Sequence, residues 1–140
     1  SALDKKPETY FRQTFFTFNH AETVQAVSEQ FADGGAVDSY IWEYLAIFKP
    51  AVTQKTRIIN TSPGFGFPPI VSRLGVNAST VQRMKSILEN MNKDSAGKAL
   101  LSQLKLDGFG HYSDSLYAEI RVMANQAQQV DSSLKSLPIP

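Results

Sequence analysis

Apolar positions change period several times along the chain, and each change marks an element. Residues 9–18, TYFRQTFFTF, are dense in aromatic and β-branched side chains, with Phe11, Phe15, Phe16 and Phe18 among them. They predict a buried or half-buried strand. At Asn19-His20 the period switches. Val24, Val27 and Phe31 fall on one face with Ala26 beside them, which predicts a helix stopped by the DGG of residues 33–35. AVDSY (36–40) reads as a short buried strand feeding a second apolar helix, SYIWEYLAIFK, that ends before Pro50. TRIINTS (56–62) is a third strand candidate, and SPGFGFPPIV (62–71) an extended crossover or shaped loop.

The remainder reads as helical. Asn77 or Ser79 caps a helix whose stripe is Val81, Met84, Ile87, Leu88 and Met91. DSAGKALLSQL (94–104) is a short helix with Ser95 in its first turn, and DGFGHYSDS (107–115) a loop. DSLYAEIRVMANQAQQV (114–130) is amphipathic through Leu116, Ile120, Met123 and Ala127. The polar residues 1–9 read as frayed and residues 131–140 as an irregular tail. Strands alternating with helices predict an α/β fold. Three short strands are few for a free-standing α/β domain of 140 residues.

Composition narrows the function classes. A hydrophobic fraction of 42% and a charged fraction of 19% are those of an ordinary globular domain. The net charge of +1, with Lys and Arg scattered, argues against a nucleic-acid surface. The absence of cysteine excludes disulfides, thiol catalysis and cysteine-based zinc sites. No stretch approaches the length of a membrane span, and the first residues lack a signal-peptide pattern. The chain is therefore expected to be cytosolic, or else a processed or excised piece.

The seam FNHAET (18–23) holds the candidate chemistry. A helix N-terminus has unpaired N–H groups and a partial positive charge, so it suits an anion such as phosphate. Asn19, His20 and the amides near Glu22 and Thr23 lie at such a point. The plainer reading is that Asn19 or His20 caps the helix. A hydrolase triad of His20, Asp38 and Ser62 lacks a G-x-S-x-G elbow. A metal site from His20 and His111 lacks ligand spacing. GFGF at 64–67 has no P-loop lysine and no third glycine. No catalytic residue, metal or cofactor is expected.

Taken in order, FNHAETVQAVSEQFADGGAVDSYIWEYL, TRIINTSPGFGFPPIVSRLGV and GKALLSQLKLDGF resemble the periplasmic phosphate/phosphite/phosphonate-binding proteins of ABC transporters, in their C-terminal half only. The resemblance implies part of a type II periplasmic-binding-protein fold, an α/β clamp of two lobes. Residues 10–60 would then belong to the second lobe, and residues 61–130 to the crossover and the C-terminal helical part of the first. His20 matches the family's ligand-contacting histidine. Tyr40 falls near a position that bears a polar ligand contact in some members, with Asp38 and Ser39 as its neighbours. Phe67 or Pro68 stands where some members have an acidic residue that holds a substrate amine. Phosphate, phosphite or an unsubstituted phosphonate therefore fits better than an aminoalkylphosphonate.

What the resemblance implies is non-catalytic, extracytoplasmic capture of a small oxyanion, with contact to the membrane only through a partner. That partner would be an ABC transporter permease or, for a sensor domain, a signalling kinase. The alternative is a truncated or ligand-free lobe that acts as a dimerising structural module, since a partial clamp exposes edges that favour a homodimer.

Overall fold

The structure, a computed structural model, describes residues 7–130. The proposed tail at 131–140 and most of the proposed frayed N-terminus lie outside them. The chain divides into two compact units, Ser1–Pro63 and Gly64–Pro140.

The first unit contains α1 (Pro7–Tyr10), α2 (His20–Ser28), α3 (Ser39–Phe48) and α4 (Pro50–Thr53). Asn19 and Asp38 start the two longer helices. Each has an extended backbone, and its side-chain oxygen accepts an N–H of the first turn. α2, α3 and α4 pack on one another. Their buried residues are Val24 (3% exposed), Leu45 (6%), Ser28 and Thr53. The Trp42 indole N–H donates to Thr56 Oγ1 (3.2 Å), and that hydroxyl donates to Thr53 O (2.8 Å), so α3 is fixed to the exit of α4.

The second unit contains α5 (Ala78–Glu89), a 3-10 turn at Met91–Lys93, α6 (Ser95–Leu104), a second 3-10 turn at Asp114–Tyr117, and α7 (Ala118–Val130). Asn77 caps α5 and Asp94 caps α6. Leu101 is 2% exposed and Gly97 is buried beside the first 3-10 turn. A Cβ at Gly97 would run into the Met91 carbonyl, so the close approach of α6 to that turn requires glycine. The Tyr117 hydroxyl donates to Phe67 O (3.0 Å) and ties the Pro- and Gly-rich segment to the start of α7.

The α/β expectation is overturned. Among the described residues there is no strand and no sheet, so the chain is not part of an α/β clamp of type II topology. A strand forms only when a neighbour takes its backbone N–H and C=O groups. Residues 11–18, 36–38 and 56–62 find no such neighbour among the described residues and stay irregular. Their apolar side chains remain largely in solvent, with Phe16 85% and Phe18 96% exposed. The first amphipathic helix also stops earlier than DGG. Gln30 takes a left-handed backbone (φ 65°), Phe31 N–H donates to Ala26 O and Gln30 N–H to Val27 O. This is a Schellman closure, and it leaves Phe31 beyond the helix and exposed. α3 does end before Pro50, at Phe48, and Pro50 then opens α4 at a position where its missing N–H costs nothing.

Candidate functional site

Asn19 sits at the end of the irregular segment with φ −153° and ψ 131°, and its Oδ1 accepts the Ala21 N–H at 2.8 Å. Its carbonyl accepts the Thr23 N–H (3.1 Å) and one of the two hydroxyls within reach, Thr23 Oγ1 (3.2 Å) or Thr17 Oγ1 (3.1 Å). The two threonine hydroxyls also meet at 2.6 Å. This knot holds the seam while Phe18, just before the cap, takes a left-handed backbone (φ 58°). The Thr17–Thr23 pair was not singled out from the sequence. Its signal is two threonines flanking an Asn cap, two residues before it and four after.

His20 is the first residue of α2 and is exposed. Its Nδ1 accepts the backbone N–H of Asp38 at 3.3 Å. Nδ1 therefore serves as an acceptor, and in the neutral ring the proton resides on Nε2, which is a donor. The Asp38 Oδ1 accepts the Tyr40 N–H at 2.8 Å, so the residue that caps α3 also fixes the imidazole at the start of α2. Ser39 is the exposed first residue of α3, and Tyr40 is half-buried, its ring 6.3 Å from that of Tyr44. The structure thus brings Asn19, His20, Asp38, Ser39 and Tyr40 to the adjoining starts of two helices. Glu22, in the first turn of α2, adds a carboxylate there.

No Asp-His relay exists at this point, because Asp38 meets His20 through its backbone and its carboxylate faces its own helix. Ser62 Oγ donates to Pro63 O (3.1 Å). Among the described residues no group of three or more His, Asp or Glu is placed to hold a metal ion. No helix among them is long and apolar enough to cross a membrane.

What the arrangement offers is a set of N–H donors: those first-turn amides of α2 and α3 that the Asn19 and Asp38 caps do not engage, and the imidazole Nε2. The family model for the periplasmic substrate-binding protein of phosphonate ABC transporters matches residues 1–117. The chain belongs to this family. No curated protein matches the chain. Members of the phosphonate-binding family are substrate-binding proteins and not enzymes; they are periplasmic, take up a phosphonate ligand and work with an ABC transporter. Membership agrees with the resemblance carried by FNHAET, the SPGFGFPP segment and GKALLSQLKLDGF.

Proposed function

We propose that this chain captures a small phosphorus oxyanion, of the phosphate, phosphite or simple phosphonate class, at the adjoining starts of α2 and α3, for delivery to an ABC transporter permease. The observation that supports this reading best is the Asp38 N–H to His20 Nδ1 hydrogen bond. It orients the ring with Nε2–H as a donor beside the first-turn amides of α2, a combination suited to phosphoryl oxygens. Asn19 acts by fixing the turn. Ser39 contributes its hydroxyl and amide, and Tyr40 lines the same region. Asp38 is an acceptor already engaged in capping, so its part is to hold His20 and α3 in register. The carboxylates of Asp38 and Glu22 disfavour a dense negative charge, which argues for a ligand with few ionised oxygens over a trianion.

Calorimetric titration with methylphosphonate, phosphite and phosphate tests this. His20→Ala is expected to weaken binding at least tenfold with an unchanged far-UV dichroism spectrum. Equal affinity in the variant removes His20 from the site.

A second reading rests on the exposed apolar faces. Phe16 and Phe18 in the first unit, and Met84, Ile87 and Met123 in the second, stand in solvent. A dimerising module that has lost its ligand would cover such residues. It predicts concentration-dependent assembly and no ligand-induced rise in melting temperature, whereas a ligand that binds only the native state must raise it.

A further inference from the structure

The segment GKALLSQLKLDGF contributes nothing to the seam at His20, yet it lines most of an open, solvent-facing cavity of about 480 Å³ in the second unit, where Lys98, Ser102 and Lys105 are exposed. Lys98, Ser102 and Lys105 line it at spacings of four and three residues along one face of α6 and its end. Leu101, almost fully buried, lies beneath, and Asn92, Leu106 and Asp107 complete the lining. The walls are set by close packing. Gly97 abuts the Met91 carbonyl at one end of the segment. At the other end, a Cβ on Gly108 would lie 3.2 Å from the Asn92 Nδ2, so the chain leaving α6 passes close over that amide.

Two features bear on the charge that this cavity would accept. Lys98 stands in the N-terminal half of α6, where the helix dipole disfavours a cation. Among the described residues no carboxylate forms an ion pair with it. Lys105 occupies the left-handed position (φ 56°) that closes α6 through Lys105 N–H to Ser102 O and Leu106 N–H to Leu101 O. Glycine is usual at such a position; here the lysine brings its charge to the end of α6, as Gln30 fills the same position at the end of α2.

We propose that this cavity is a second anion site, distinct in residues from the seam at His20, for a small hydroxyl-bearing organic oxyanion. Lys98 and Lys105 neutralise the anionic group and Ser102 donates to it. Asn92 and Asp107 supply a donor and an acceptor for a hydroxyl of the same molecule.

The test is a titration of the isotopically labelled chain with glycerol 3-phosphate, glycerate and inorganic phosphate, against sodium chloride at matched ionic strength, followed by amide chemical shifts. The expected result is saturable movement of the Asn92, Lys98, Ser102 and Asp107 signals, tighter for glycerol 3-phosphate or glycerate than for inorganic phosphate. That movement should be retained in His20→Ala. Lys98→Gln is expected to weaken it about fivefold, and Lys98→Gln combined with Lys105→Gly to abolish saturation. Lys105→Gly keeps the helix closure, so the double variant stays folded. Shifts that grow linearly as they do with chloride, or saturable shifts that survive the double variant, overturn the inference. If the second unit binds while His20 and its neighbours do not respond to phosphonates, this inference stands and the reading of the seam fails; the reverse pattern separates them the other way.

Discussion

The two units use the same device to begin their helices and differ in what happens next. Asn19, Asp38, Asn77 and Asp94 each turn a side-chain oxygen back onto a first-turn N–H. In the first unit the helices so started then pack on one another, and Asp38 joins the starts of two of them across 18 residues of sequence. In the second, among the described residues, α5, α6 and α7 meet only the short 3-10 turns beside them in the chain, and α5 buries none of its side chains. Capping is local and needs only a few neighbouring residues. Burial needs a partner surface, and that is where the units diverge. A site that joins two helix starts can therefore form in the first unit, while the second offers an open depression along a single helix and its flanks.

The largest expected effects come from emptying the two cores. Leu45→Ala and Leu101→Ala should each cost about 2–5 kcal/mol, as large-to-small changes at buried sites do. Their reach should differ. Hydrogen exchange is expected to rise across α2, α3 and α4 in Leu45→Ala, but only across α6 and its adjoining turn in Leu101→Ala. Faster exchange in α5 and α7 after Leu101→Ala would show that the helices of the second unit unfold together. Smaller effects come from the caps. Asp38→Ala and Asn77→Ala should each cost about 1 kcal/mol. Only the former should also disturb the His20 ring, read as a shift of its Nδ1 signal. An undisturbed ring would remove the coupling between the two helix starts. Smallest of all is Met84→Ser on the exposed stripe of α5, expected within about 0.5 kcal/mol in chemical denaturation. A loss several times larger would mean that a partner surface covers α5.

Much of the helical content was legible in the sequence because its causes are short-range. The spacing of Val81, Met84 and Ile87 and the Asn77 cap mark α5, and SYIWEYLAIFK marks α3. The strands were misread because TYFRQTFFTF and TRIINTS have strand composition without a partner strand, and composition does not supply one. The end of the first amphipathic helix was misread because Gln30 performs a closure that is usually glycine's. At the seam, Asn19 and His20 stood out by position, at the switch from one period to another. The Asp38 N–H contact did not, since it depends on how α2 and α3 pack. The Thr17–Thr23 knot was hidden for a related reason, because its residues meet only once the chain turns at Phe18. Residue types named the family, whereas the contacts between helices give its candidate donors their orientation.

The most direct test of the central claim is to follow the His20 imidazole and the amides of Ala21, Glu22 and Ser39 by nuclear magnetic resonance while methylphosphonate is added. Capture at the adjoining starts of α2 and α3 predicts saturable shifts of all four, with one common dissociation constant that matches calorimetry. Saturable calorimetric binding that leaves the His20 ring and these amides unmoved would contradict it.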